Sequence, residues 1–262
     1  MAEKVNQGIE IVKAGANVLG QFYQDLAQPS VKALGQALAT VFELCPNSLL
    51  SLKLWTEKRK LNFAKRLNEY KDKLEQIPEE KRCEVDTQIG TPIVEKLTYT
   101  TNDEIADLFT TLLANASNID TVNRAHPAFI DIIGRLSPDE ARIINYFSEK
   151  SFLCYCDINL HSKIEGYNTL HSHVTVLTNR VQLLYPQNER AYLFNLISLG
   201  IISDESPTYK IDQTEYDEIK KIYNVRKLEA DLVPTLYKKV ESKHSYYEIT
   251  PLGKLFISAC VK

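Results

Sequence analysis

The sequence has 262 residues, of which 44% are hydrophobic and 25% charged, and its formal net charge is −3. This composition is that of a globular protein with enough apolar residues for one large core or two modest ones, and the charge excludes a generic polyanion-binding protein. Because the first residues lack the basic and apolar segments of a signal peptide, and because the five cysteines form an odd, unevenly spaced set, we expect a cytoplasmic chain with reduced thiols.

Two amphipathic helices are predicted before residue 46. Apolar residues recur at steps of three and four from Val5 to Leu26, and Pro29 ends this pattern. Ser30 can cap a second helix, which Pro46 stops. The apolar residues of this second helix form our candidate interaction face, which comprises Leu34, Leu38, Val41 and Phe42.

The stretch from Ala33 to Leu52 also approaches the length of a membrane span, because Glu43 is its one charged residue. Pro46 and the amphipathic spacing on each side of it favour a buried corner between two helices. A hairpin that inserts into a membrane surface on activation remains an alternative.

A third, long helix is predicted to follow. Its apolar seam includes Phe63, Leu67, Tyr70, Leu74 and Ile77. Its outer surface is rich in basic residues, namely Lys53, Lys58, Arg59, Lys60, Lys65, Arg66, Lys71 and Lys73. We interpret this basic surface as solvated, with a nucleic-acid track and a membrane-surface patch as alternatives. Residues 1–82 are thus a helical region that must bury its seams in a bundle, a hairpin or a partner.

The next segment, residues 83–136, is predicted to be helical only in part. Gly90-Thr91-Pro92 breaks any regular pattern in residues 83–98, whereas a helix is expected from Asn102 to about Ala116. A polar loop over residues 115–123 and a short helix over Pro127–Arg135 follow.

Residues 137–262 resemble a winged-helix module. Ser137 can cap a helix over Pro138–Lys150, with Pro138 at its first position and Glu140 closing a capping box. A strand-like stretch over 152–160 follows, then a helix over 188–199 that a glycine step joins to a strand. A second strand ends at Thr250, which caps the last helix. The insert between these two strands is far longer than a wing turn and holds a helix-like run over 213–223. Residues 161–187 read as strands and loop where a recognition helix would lie.

Two sets of residues invite a chemical interpretation. Five potential zinc ligands fall within twenty residues, namely Cys154, Cys156, His161, His171 and His173, but their spacing does not match structural zinc sites, so we expect no metal. His126 has no nucleophile or carboxylate nearby in the sequence, and we expect it to form a local hydrogen bond that orders the 115–123 loop. No phosphate loop or known catalytic motif is present, so we predict neither an enzyme nor a cofactor.

The run from His126 to Arg142 resembles the central signature of the bacterial abortive infection alpha domain family. The residues that carry the resemblance are His126, Pro127 and Phe129, followed by Ser137, Pro138, Asp139 and Glu140. The flanks over 77–81 and 101–105 are similar to those of the family, and the resemblance extends over roughly residues 30–262. It implies a role in defence against phage, and it implies no reaction, because no catalytic residue set accompanies it.

These observations lead to one reading with one alternative. We expect a mainly α fold with an N-terminal helical bundle or hairpin and a C-terminal winged-helix-like α+β module. The function expected is non-enzymatic phage defence through a protein partner, another copy of the chain or a membrane surface, with membrane association on activation left open. The alternative is a transcriptional regulator that binds DNA through the winged-helix module.

Overall fold

The computed structural model describes residues 57–233 and 237–261. The chain divides into two compact units, of which the first is Met1–Pro138 with Ser258–Lys262 and the second is Asp139–Ile257. The first two predicted helices and the candidate face of Leu34, Leu38, Val41 and Phe42 lie outside the described residues.

Four helices make up the described part of the first unit: α1 (Glu57–Glu75), α2 (Thr87–Leu97), α3 (Asp103–Ala116) and α4 (Ala128–Gly134). The predicted seam of α1 is confirmed, because Phe63, Leu67, Tyr70, Leu74 and Ile77 are all buried. Helix α3 packs against both α1 and α2. It begins where the sequence indicates, since the side chain of Asn102 accepts a hydrogen bond from the amide of Ile105 at 3.0 Å.

Helix α2 corrects the expectation that Gly90-Thr91-Pro92 would break the chain into an irregular segment. Pro92 lies inside the helix, and Asp86 caps its start by accepting from the amide of Gln88 at 2.7 Å. The helix buries four apolar side chains, those of Ile89, Ile93, Val94 and Leu97. Their burial outweighs the hydrogen bond that proline removes, since each such side chain contributes about 1.5 to 3 kcal/mol.

We interpret the basic surface of α1 from its sequence as solvated, but the structure shows that part of it is buried. Arg66 is buried, and its guanidinium donates to the carbonyl oxygen of Thr101 at 2.8 Å and to the carboxylate of Asp103 at 2.7 Å. Lys73 is largely covered and pairs with Asp107 at 2.7 Å. A buried guanidinium is tolerated where its donors are satisfied in this way. These two charges therefore hold α1 to the start and the middle of α3.

The second unit combines a sheet with six helices among its described residues. They are α5 (Pro138–Glu149), α6 (Leu177–Arg180), α7 (Glu189–Ser198), α8 (Thr214–Ile222), α9 (Val225–Leu232) and α10 (Pro251–Cys260). The strands are β1 (Phe152–Ser162), β2 (Tyr167–Val174), β3 (Ile202–Asp204) and β4 (Tyr237–Ile249). They form one antiparallel sheet in the order β2, β1, β4, β3. The fold is therefore α+β.

Strands β1 and β4 form the centre of this sheet. They pair in continuous register from Phe152 opposite Glu248 to His161 opposite Lys239. Because side chains alternate across a strand and directly opposed residues share a face, the register sorts the central side chains into two sets. One face carries Tyr155, Asp157, Ser245 and Tyr247, and the other carries Cys154, Cys156, His244 and Tyr246.

Several local predictions for this unit are confirmed. Gly200 has a φ of 72°, the left-handed conformation that ends a helix, and β3 begins two residues later. Thr250 caps α10 by accepting from the amide of Gly253 at 2.9 Å. The helix-like run over 213–223 is α8.

The two strands that we predicted as a wing, β3 and β4, do pair, with Ile202 opposite Ile249. However, β4 begins as early as Tyr237, and its other edge is occupied by β1 along most of its length. The pair is therefore one edge of a four-stranded sheet. The winged-helix assignment is not confirmed, nor is the N-terminal bundle.

Candidate functional site

The first candidate site is the run from His126 to Glu140 that the sequence singles out. His126 is exposed, and its Nδ1 accepts a hydrogen bond from the amide of Ala128 at 3.1 Å. Its ring lies 5.7 Å from the ring of Phe129, which is fully buried. His126 is thus a local hydrogen-bonding residue, as predicted. The bond orders the start of α4, however, and not the 115–123 loop that we expected.

Asp139 lies in the first turn of α5, and its side chain does more than favour a helix start. The residue is 1% exposed. Its two carboxylate oxygens accept from the amides of Leu184 and Tyr185, at 2.7 and 2.9 Å, and from the hydroxyl of Tyr192 at 3.0 Å. Burial alone would raise the pKa of this carboxyl, but the three hydrogen bonds lower it more, and the net pKa lies below the ordinary value. Asp139 is therefore ionised at neutral pH.

Glu140 has a related role beside it. It is buried, and its Oε1 accepts from the side-chain amide of Asn195 on α7 at 2.7 Å. We call Asp139 and Glu140 together the carboxylate clamp. Because its partners lie 45 to 55 residues further along the chain, the clamp fixes the 184–195 segment, including most of α7, to the start of α5.

A second cluster, not anticipated from the sequence, lies on one face of the sheet. Nδ1 of His173 lies 2.6 Å from the hydroxyl oxygen of Tyr247. The His173 ring stacks on Tyr155, with ring centroids 4.5 Å apart, and makes a T-shaped contact with Phe194, with ring centroids 5.3 Å apart. Asp157 on β1 holds this end of β2 by accepting from the His173 amide at 2.8 Å. We call Tyr155, His173, Phe194 and Tyr247 the aromatic cluster.

The aromatic cluster is uncharged at its centre. Burial lowers the pKa of His173 and raises the pKa of Tyr155 to about 12, and it raises the pKa of Tyr247 further still. Tyr155 donates its hydroxyl proton to Asp204 at 2.8 Å. At neutral pH the imidazole is therefore neutral and both phenols keep their protons.

The five potential zinc ligands do not converge. Cys154 and Cys156 are buried on the sheet face opposite Tyr155, and burial raises the pKa of each thiol to about 12. His173 belongs to the aromatic cluster, and His161 lies 2.8 Å from the carboxylate of Glu241. Within residues 57–233 and 237–261, no three His, Cys, Asp or Glu side chains form a group able to hold a metal ion.

Comparison with known proteins was made against family models, curated proteins and solved structures. The model of the family described as abortive infection alpha matches residues 56–260. The chain belongs to the abortive infection alpha family. The matched range includes the whole signature from His126 to Glu140, so the resemblance that the sequence indicated is confirmed.

The other two comparisons add little. No curated protein shows significant similarity to the chain. A solved structure described as an uncharacterized protein from the hydrocarbon-degrading marine bacterium Alcanivorax borkumensis SK2 is 20% identical over 52% of this chain and 93% of that chain, with a TM-score of 0.34. A likeness this weak carries nothing over to this member of the abortive infection alpha family.

A substitution at Ser137 tests whether the signature residues stabilise the fold and take no part in a reaction. Because Ser137 precedes Pro138 at the start of α5, we expect Ser137→Ala to remove an N-cap and to lower the free energy of unfolding by about 1 kcal/mol. Urea denaturation measures this loss, and phage protection should persist in the variant. A variant of unchanged stability that had lost protection would show that the hydroxyl serves in a chemical step.

The metal expectation is tested separately. The separation of the two thiols from His173 predicts that the purified family member retains far less than one zinc per chain after dialysis against a chelator. Elemental analysis provides the measurement, with a chain carrying Cys154→Ser and Cys156→Ser as the control. Zinc that stays near one per chain and disappears in the control would contradict the prediction.

Proposed function

We propose that this protein is a phage-defence protein of the abortive-infection type, and that it acts in the cytoplasm by interaction instead of catalysis. The observation that carries the proposal is the family match over residues 56–260. The family description names abortive infection and no reaction, and we propose that the protein acts by engaging a partner or target at infection.

The role of the signature residues supports the non-catalytic part of this proposal. Asp139 and Glu140, the acidic residues of the signature, are buried and accept hydrogen bonds from the 184–195 segment. A general acid or base must come within hydrogen-bonding distance of the proton that it transfers. The carboxylates of Asp139 and Glu140 are instead occupied by protein donors, which supports a structural role. On this view the signature residues stabilise the fold, and the interaction is made by a different surface of the protein.

The surface that we propose for the interaction is the apolar face of Leu34, Leu38, Val41 and Phe42. Its support is the sequence pattern, which predicts an apolar stripe on a helix that follows another predicted amphipathic segment. We propose a protein partner or a second copy of the chain as its occupant, with a membrane surface as the alternative. None of the described helices is long and apolar enough to cross a bilayer. The membrane form of the proposal rests on the apolar sequence of residues 33–52.

A charge substitution on this face tests the proposal. The double variant Leu34→Asp with Leu38→Asp should abolish the reduction in plaque number, because two buried carboxylates would oppose binding or insertion. The matched control is Gln36→Asp with Thr40→Asp, which adds the same charge to the same predicted helix away from the face. The control should protect as the natural sequence does.

Two further measurements make this result decisive. Melting curves must show that both double variants keep the folded state of the natural chain. Liposome leakage and size-exclusion chromatography then separate insertion from association. If the folded Leu34→Asp, Leu38→Asp variant protects fully, the interaction face is not where we place it.

A DNA-binding regulator is the second candidate. The observation that favours it is the succession of α7, the Gly200 turn and the antiparallel pair β3 and β4, which is the order of a helix followed by a wing. The net charge of −3 opposes it. Tight DNA binding that weakens steeply with salt would support this candidate over the first.

A further inference from the structure

The aromatic cluster opens to solvent beside α7. Phe194 is 42% exposed even though its ring meets His173 at 5.3 Å. One turn earlier on the same helix, the guanidinium of Arg190 lies 5.4 Å from the centre of the Phe194 ring. Arg190 is exposed and forms no ion pair within residues 57–233 and 237–261. A cation, an aromatic ring and an imidazole thus meet at one place on the surface of the second unit.

The hydrogen bonding of Tyr247 determines which imidazole nitrogen carries the proton. The Tyr247 side chain is buried, and Nδ1 of His173 is its hydrogen-bond partner within the described part of the chain. A buried hydroxyl must place its proton on an acceptor, so Tyr247 donates and Nδ1 accepts. A neutral imidazole that accepts at Nδ1 carries its proton on Nε2. Nε2 has no partner within the described residues, so the site offers an N–H donor.

The backbone of His173 has a left-handed conformation. Its φ is 55°, in the left-handed region that costs a residue with a Cβ about 1 kcal/mol or more. Asp157 maintains it by accepting from the His173 amide and from the Ser172 hydroxyl. This conformation places the ring between Tyr155 and Phe194. Strain of this kind is concentrated at sites that position a functional group.

We propose that His173, Arg190 and Phe194 form a binding site for a nucleotide. The Arg190 guanidinium and the Nε2–H of His173 bind the phosphate group, and the base stacks on the exposed ring of Phe194. Arginine suits phosphate because its donors match two oxygens at once, and base stacking on an aromatic side chain is favourable for every base.

The acidic neighbours define which anions fit. Asp157 accepts from the backbone amide of His173, and Asp204 is exposed and accepts from Tyr155 and from the amide of Ser206 through one oxygen. Two carboxylates disfavour a bare anion, so phosphate without a base should bind weakly. The exposed carboxylate of Asp204 can also accept hydrogen bonds from sugar hydroxyls or base amino groups. The ligand chemistry is therefore a phosphate joined to an aromatic base, supplied by a free nucleotide or by the end of an RNA strand.

Calorimetric titration of the full chain tests this site. The probes are the four ribonucleoside 5′-monophosphates, the matching uncharged nucleosides, inorganic phosphate and a five-nucleotide RNA. At least one monophosphate should bind saturably, with an affinity at least about tenfold above those of phosphate and the nucleoside. RNA that binds more tightly than any monophosphate identifies a strand as the source of the ligand, and the reverse identifies a free nucleotide.

Three variants assign the binding to these residues. Arg190→Gln and His173→Asn should each weaken nucleotide binding about tenfold or more, and asparagine tolerates the left-handed backbone at position 173. Phe194→Leu should remove the advantage of a nucleotide over phosphate while leaving the weak phosphate binding in place. Arg226→Gln is the matched control, since it removes one exposed guanidinium from α9 in the same unit.

The outcomes that overturn the proposal are equally specific. The proposal is wrong if no probe binds saturably at millimolar concentration. It is also wrong if Arg190→Gln and Arg226→Gln reduce binding equally. Phosphate that binds as tightly as the monophosphates would exclude the stacking role of Phe194. This site goes beyond the defence function, and failure here leaves the plaque measurements on the natural chain unchanged.

Discussion

Asp139→Ala is expected to lower the free energy of unfolding by about 3 kcal/mol, because it removes a buried carboxylate that accepts three hydrogen bonds. The amides of Leu184 and Tyr185 and the hydroxyl of Tyr192 would lose their acceptor. Urea denaturation followed by circular dichroism measures the loss. The matched control is Glu149→Ala, at the exposed end of the same helix, which should change stability by less than about 0.5 kcal/mol.

The effect of Asp139→Ala should also depend on pH. Because the folded-state pKa of Asp139 lies below its unfolded value, its stabilisation is fully present above the unfolded pKa of about 3.9. It is lost as the pH falls through the folded-state pKa. The stability difference between the natural chain and the variant should therefore be constant from pH 7 to 5 and shrink below pH 4. A difference under about 1 kcal/mol at pH 7 would refute the carboxylate clamp.

Gly253→Ala is expected to have a comparable or larger effect. A Cβ at Gly253 would lie 2.1 Å from the carbonyl oxygen of Ile201 and 2.9 Å from Cγ1 of Ile249. The first neighbour is backbone and cannot move aside, so α10 must shift away from the end of the sheet. We expect a loss of about 3 kcal/mol or more, measured by thermal and urea unfolding.

A second glycine provides the control for this prediction. A Cβ at Gly134, at the end of α4, would meet the flexible end of Lys96 at 3.6 Å, which is an ordinary contact. Gly134→Ala should therefore be neutral or stabilising by up to about 1 kcal/mol. Equal effects of the two substitutions would show that α10 does not approach Ile201 as closely as the structure has it.

Features that depend on a few consecutive residues could be predicted from the sequence. Asn102 and Thr250 cap the helices that they were expected to cap, and the glycine at position 200 ends α7 and leads into β3. The seam of α1 follows from a spacing of three and four residues. In each case the cause is local, because capping and periodicity involve residues within one or two helical turns.

Features that depend on distant residues could not be predicted in the same way. Glu140 accepts from a side chain 55 positions away, and Tyr247 meets His173 across 74 positions. Helix α2 forms around Pro92 because tertiary burial of its apolar face outweighs a local breaker. One signal was present for the aromatic cluster: the alternation of β1 places Tyr155 and Asp157 on the same face. Their partners on the other strands follow only from the register.

Infection at high multiplicity tests the defence function most directly. Bacteria that express the intact chain, and bacteria that carry an empty vector, are infected so that nearly every cell receives phage, and phage yield per cell and cell survival are both measured. Abortive infection predicts a reduced yield from cells that nevertheless die, together with survival of the culture at low multiplicity. An unchanged yield across a diverse phage panel, from cells shown to contain soluble folded protein, would contradict the proposed function.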